Sequence, residues 1–132
     1  MSATGVSIAS IVLREGLVLV ARRERSGPLG GLWEFPGGKV EEGESEAEAL
    51  EREFLEEFGA KAKAERRLGE TTFMHKGKDR RLVAWLASLP EGERLELREH
   101  LECRWLPPAE ISDLDLADSD RKLLPIVEAL GP

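Results

Sequence analysis

Glu53, Glu56 and Glu57 are separated by three residues or fewer from their neighbours in the set, with Arg52 as the adjoining cation. On a helix, at about 100° per residue, three- and four-residue separations bring side chains onto one face. The Glu53–Glu57 pair then costs an isolated helix about 0.2–0.5 kcal/mol in like-charge repulsion, and Glu56 adds to it. Arg52 relieves only part. A divalent cation would turn the repulsion into attraction, because hard ions such as Mg2+ take oxygen ligands and carboxylates are the strongest this chain offers. An acidic helix face taken alone is more often a solvated surface. The segment in front of it favours a site: Gly37 and Gly38 follow Pro36, and two glycines permit a turn whose backbone a phosphate or a metal can approach closely. The chemistry suited to such a set is phosphoryl transfer, which needs positioning and charge neutralisation more than a covalent nucleophile.

These residues need a scaffold, and the chain can supply one. Its 132 residues suit one compact domain, and 41% hydrophobic with 34% charged residues excludes both a disordered tail and a membrane protein. Apolar runs such as Leu17 to Ala21 are far too short to span a bilayer. The formal net charge of −7 suits no long polyanion, so a nucleic-acid polymer is not the expected partner. That charge is local. Glu41 to Glu57 holds nine glutamates and one arginine, a sum of −8, which leaves about +1 for the rest.

Val6–Leu13 and Leu17–Ala21 read as a strand hairpin, Ser26–Gly31 as a loop, and Trp33–Phe35 as a short extended piece before Pro36. Ser45 with Glu48 forms a capping box for a helix anchored by Ala47, Leu50, Phe54 and Phe58 and stopped at Gly59. Leu68–His75 and Arg81–Leu89 read as two strands joined at Gly77, Arg104–Leu106 as a last short strand, and Ser119–Leu130 as a closing helix that Pro125 either kinks or bounds. The expected class is α/β: a mixed sheet sandwiched between helices (α/β/α), in a single domain over residues 1–132.

Gly38, five residues, Glu44, seven residues, then Arg52-Glu53-Phe54-Leu55-Glu56-Glu57-Phe58-Gly59-Ala60 resembles the Nudix box of the Nudix hydrolase family, here over residues 38–60. The one departure is Ala60, where the family pattern prefers a larger aliphatic. Trp33-Glu34-Phe35-Pro36-Gly37-Gly38-Lys39 extends the resemblance toward the MutT branch, which acts on nucleoside triphosphates. The resemblance implies a Nudix fold and cleavage of a pyrophosphate bond with Mg2+ or Mn2+. It implies that Glu53, Glu56 and Glu57 hold metal with the Gly37 carbonyl, that Arg52 orients the glutamates, and that Glu44 braces the loop. It also implies a further glutamate from late in the chain, six residues before a tryptophan. Glu99, six before Trp105, fills that place as base and metal ligand, with Glu96 and Glu102 as neighbours and a solvated loop carboxylate as the other reading.

Arg23 and Asp120 match positions that face the nucleobase in MutT-like proteins; Gly38 and Lys39 adjoin them in the substrate set, and Phe35 or Phe73 could stack on the base. Where MutT has an amide, Asp120 accepts hydrogen bonds, which makes cytidine or other modified nucleotides credible beside 8-oxo-dGTP. Helix capping is the other reading for Ser119 and Asp120. The expected reaction is hydrolysis of a nucleoside triphosphate to monophosphate and pyrophosphate. ADP-ribose, a nucleotide sugar or a dinucleoside polyphosphate is the alternative substrate, and a non-hydrolytic nucleotide sensor the alternative of another class. His75 and His100, 25 residues apart, read as surface or loop histidines, and Arg22, Arg23 and Arg25 as a solvated strand end or an anion-facing patch. Trp85 reads as core and Trp105 as a strand residue packing the sheet. Cys103 lacks a disulfide partner and reads as a small, partly buried side chain. Met1–Gly5 shows no secretory pattern, so a cytoplasmic monomer or homodimer with a small-molecule nucleotide partner is expected.

Overall fold

The structure, a computed structural model, describes residues 3–24, 27 and 30–131. Its strands are β1 (Ala3–Arg14), β2 (Leu17–Arg23), β3 (Trp33–Glu34), β4 (Gly37–Glu41), β5 (Lys63–His75), β6 (Lys78–Ser88) and β7 (His100–Leu106). The helices are α1 (Glu46–Phe58), α2 (Asp118–Arg121) and α3 (Leu124–Glu128). β1 is the hub of the sheet. It runs parallel to β6 from Val6 to Val12, antiparallel to β4 through Ala9, and antiparallel to β2 only at the hairpin end, Leu13–Val18 and Arg14–Leu17. β2 then carries β3 and β7, and β5 closes the other edge against β6.

Alternation along β1 and β2 explains the layers. Ile8, Val12, Leu19 and Ala21 pack with α1, whereas Ala9, Ile11, Val18 and Val20 pack with Ile111, Leu123 and Val127 near the C-terminus. Both sheet faces are covered, the α/β/α sandwich expected of strands that read as continuous apolar runs. On α1, Leu50, Phe54 and Phe58 are at most 1% exposed. Each such side chain contributes about 1.5–3 kcal/mol, so burial outweighs the repulsion among the helix carboxylates several times over. Ala60 is fully buried beside them, so the small side chain fits its place.

The capping box is formed: Ser45 Oγ accepts from the Glu48 amide at 3.0 Å, and the Glu48 carboxylate accepts from the Ser45 amide at 2.8 Å. Gly59 ends α1 in the left-handed region, φ 65°, with its N–H on Leu55 O. Ser45→Ala is expected to lower stability by about 1 kcal/mol; a urea midpoint unchanged from wild type would contradict that cap.

Three expectations need correction. Gly37 and Gly38 form no turn but open β4, and neither has a positive φ. Glycine is required there by close approach: a Cβ on Gly37 would collide with Ile8 O, and one on Gly38 with the Glu53 carboxylate. The closing helix is two helices, because Pro125 in the first turn of α3 donates no hydrogen bond back and the chain turns at Lys122 and Leu123. The last strand begins earlier, at His100, since β2 supplies an antiparallel partner as far as Arg23. Arg25 and, within the Ser26–Gly31 loop, residues 26, 28 and 29 lie outside the described residues.

Candidate active site

Arg52 organises the carboxylates of α1. Its Nε donates to Glu44 Oε2 at 2.6 Å and its Nη2 to Glu44 Oε1 at 3.0 Å, a two-pronged pair. Nη1 reaches Glu53 Oε1 at 2.6 Å and Glu56 Oε2 at 3.0 Å, and Nη2 also reaches the Lys39 carbonyl. Glu44 in turn accepts from the Glu41 amide, which fixes the loop between β4 and α1. The hydrogen bond from Arg52 holds the Glu44 carboxyl below its ordinary range. For Glu53, burial pushes the other way and wins over Arg52.

Glu57 is the outlier of the set. It is only 5% exposed and its Oε1 has no hydrogen-bond partner. Burial first, then the charges of Glu34, Glu53 and Glu99, push its pKa up to about 9, opposed by a hydrogen bond from the Gly37 backbone. A buried, unsatisfied carboxylate oxygen among other carboxylates is the environment a cation would relieve. Among the described residues no group of three or more His, Cys, Asp or Glu is already gathered tightly enough to hold a metal ion. The reason is visible: Arg52 draws Glu53 and Glu56 to itself, and Glu56 remains 49% exposed and able to swing. The residues fit a divalent cation by chemistry, by the orphaned Glu57 oxygen, and by the glycine at 38, which leaves the Glu53 carboxylate room against β4.

A cleft of about 570 Å³ joins this carboxylate end to Arg23, Glu34, Phe35, Gly37, Gly38, Lys39, Phe73, His75, Arg80, Leu82, Glu99 and Asp120. That size suits a nucleotide. Glu99 is exposed at the cleft, and its charge acts on both Glu53 and Glu57. At the other end Phe35 is buried, and Phe73 is partly buried against the same core cluster. Asp120 is 7% exposed; its Oδ2 accepts from the Phe35 amide at 2.9 Å and its Oδ1 from Ser119 Oγ at 3.1 Å. Neither Ser119 nor Asp120 caps a helix, since the residue preceding α2 is Ala117 and it makes no side-chain cap bond. Burial, then Glu34, pushes Asp120 up to about 7, so near neutrality this carboxyl can donate as well as accept.

The Asp120 shift sets a stability trend. A carboxyl raised from 3.8 to about 7 keeps in the folded state a proton that the unfolded chain releases. Its contribution is therefore full below about pH 4 and lost as pH rises through about 7. Asp120→Asn should flatten the fall in Tm between pH 5 and pH 8; an equally steep fall in the variant would refute the assignment.

Two residues that drew no functional reading in the sequence belong to the cleft. Glu34 bridges Arg23 Nη1 and His100 Nε2, both at 2.8 Å. His100 is a buried strand residue, not the surface or loop histidine expected; its side chain is 3% exposed. A 66-residue separation hides this pair, and only the inward alternation at Glu34 between Trp33 and Phe35 hinted at it. Arg22 is no part of an anion-facing patch, as its Nε is spent on Gly31 O and its Nη1 faces Glu102. His75 is exposed at the rim, as expected. Trp85 is less buried than a core residue, and its Nε1 donates to Glu46 at 2.9 Å.

The NUDIX domain model matches residues 1–126. The CTP pyrophosphohydrolase of Escherichia coli is 37% identical over 126 residues, covering 92% of this chain and 87% of that protein. The putative 8-oxo-dGTP diphosphatase 2 of Mycobacterium tuberculosis is 37% identical over 119 residues, covering 88% and 82%. The solution structure of the Escherichia coli ORF135 protein superposes with a TM-score of 0.83 at 36% identity, covering 95% of this chain and 89% of that one.

Proposed function

The chain belongs to the Nudix family of hydrolases, and on that premise we propose that it is a MutT-like pyrophosphohydrolase that cleaves a nucleoside triphosphate to monophosphate and pyrophosphate. The observation that carries the reading is one cleft with a carboxylate helix end at one side and Arg23, Phe35, Phe73 and Asp120 at the other. The reading takes residues 1–132 as a single domain. No helix among the described residues is long and apolar enough to cross a membrane.

Members of this family generally use a divalent metal. In this chain Mg2+ or Mn2+ would be held by Glu53, Glu56, Glu57 and Glu99, with the Gly37 carbonyl. When bound, it supplies charge neutralisation at the phosphates and a lower pKa for water. Arg52 keeps Glu53 and Glu56 oriented and returns a positive charge to the helix face, while Glu44 fixes the guanidinium. The Glu99 carboxylate takes the proton of the attacking water, and Glu53 or Glu56 is the group that would replace it in that role. Lys39 and Gly38 border the phosphates, and Phe35 or Phe73 covers the base. Asp120 reads the base edge, and its mixed protonation near neutrality suits both a cytosine and an oxidised guanine. Two relatives bear names with those two bases, which makes CTP and 8-oxo-dGTP the substrates to try first.

Calorimetric titration tests the metal assignment. Mn2+ should bind the wild type and bind Glu56→Gln and Glu57→Gln at least tenfold more weakly. Equal affinity in all three proteins would remove these glutamates from the metal site.

A further inference from the structure

The loop that delivers Glu99 is held on both sides of that residue. The Glu96 amide donates to Phe58 O at 2.8 Å and the Arg98 amide to Glu57 O at 3.2 Å, so the loop is tied by backbone to the C-terminal end of α1. Immediately after Glu99, His100 lies flat on the Phe58 ring, with ring centroids 5.4 Å apart and planes 9° from parallel. Its Nε2–H donates to Glu34 Oε2 at 2.8 Å, and Glu34 Oε1 accepts from Arg23. Its Nδ1 is buried without a partner, so the Glu34 bond is the polar contact that fixes the ring.

We propose that His100 is a positioning residue for the reaction: wedged between Phe58 and Glu34, it sets where the Glu99 carboxylate sits against the carboxylates of α1. The proposal rests on the pyrophosphohydrolase reading and deepens it. Glu99 itself is exposed, so its position is inherited from its neighbours in the chain. The two backbone bonds fix the residues before it; after it, the β7–β2 ladder pairs the His100 backbone with Arg23, and the His100 ring held between Phe58 and Glu34 sets how that strand end is seated. Loss of either side lets the carboxylate wander, and a displacement of about 1 Å is enough to cost roughly 10²-fold in rate. Arg23 keeps Glu34 in place when His100 is removed, so nucleotide binding is spared and the effect falls on turnover.

The test compares His100→Leu, His100→Gln and the double variant Glu99→Gln/His100→Leu with wild type and Glu99→Gln, using a triphosphate that the wild type hydrolyses. His100→Leu should lower kcat by about 10- to 100-fold with KM changed by less than about twofold. Gln places an amide N–H near the position of the imidazole Nε2 and should restore kcat to within about threefold of wild type. In the Glu99→Gln background the His100→Leu change should cost nothing further. Hydrogen exchange at residues 98–101 should be at least about tenfold faster in His100→Leu and normal in His100→Gln. Equal losses in the Leu and Gln variants, a full extra loss in the double variant, or unchanged exchange would overturn the positioning role. A wild type inert toward every triphosphate would instead overturn the functional reading, and the exchange comparison would still decide the anchoring.

Discussion

Glu57→Gln is expected to lower kcat by about 10³-fold or more while making the metal-free protein more stable at pH 8. On the proposed metal assignment, the first part follows from losing a charged oxygen ligand: several kcal/mol of charge stabilisation correspond to about a thousandfold in rate. The second part has the opposite sign and comes from the same atoms. The Glu57 pKa is pushed from 4.5 up to about 9, chiefly by burial, so the folded protein keeps a proton that the unfolded chain gives up. Its stabilising contribution is full below about pH 4.5 and drains away as pH rises through about 9. Gln has no such cost, so the Tm of the metal-free variant should exceed that of wild type at pH 8 and converge with it at pH 4. Added Mn2+ should raise the wild-type Tm and leave the variant nearly unmoved. A variant that is both inactive and less stable at pH 8 would make Glu57 a packing residue.

The second large effect concerns Glu99. Glu99→Gln should reduce kcat by about 10²- to 10⁴-fold, the usual contribution of a positioned general base. Because Glu99 is exposed, the fold should be unaffected, and the urea midpoint should match wild type. Retained turnover would move the proton transfer to Glu53 or Glu56, whose carboxylates already share Arg52.

Local physics makes the carboxylate end of the cleft readable from residue types and spacing. The capping box, the spacing of Leu50, Phe54 and Phe58, and the Gly59 stop are all contained within residues 45–59, and each appears as expected. The two-sided burial of β1 and β2 is implicit in their apolar runs. What the sequence conceals is long-range. Glu34 and His100 meet only because β2 carries β3 on one edge and β7 on the other. Gly37 and Gly38 suggest a turn by their type, whereas their role is set by Ile8 and Glu53, atoms distant in the chain. The closing helix shows the same limit: by its type Pro125 marks either a kink or a boundary, and the structure makes it a boundary, in the first turn of α3. The protonation of Asp120 and Glu57 depends on burial and on neighbours from other elements, so residue type alone cannot indicate it.

The site also gives the net charge of −7 a different meaning. The segment Glu41–Glu57 holds −8, and much of that charge is paired with Arg52 or buried at Glu57. The rest of the cleft presents Arg23, Lys39 and Arg80 to an anionic ligand. A protein acidic overall can therefore accept a triphosphate, provided that cations accompany it.

Phosphorus NMR of the wild type with Mg2+ decides whether the protein is a triphosphate pyrophosphohydrolase, using CTP, 8-oxo-dGTP, the other triphosphates, ADP-ribose and diadenosine polyphosphates in turn. Monophosphate and pyrophosphate should form in equal amounts from at least one triphosphate, with no orthophosphate during the initial phase. Turnover of ADP-ribose to AMP and ribose phosphate with every triphosphate intact, or nucleotide binding without turnover in either Mg2+ or Mn2+, would contradict that reading.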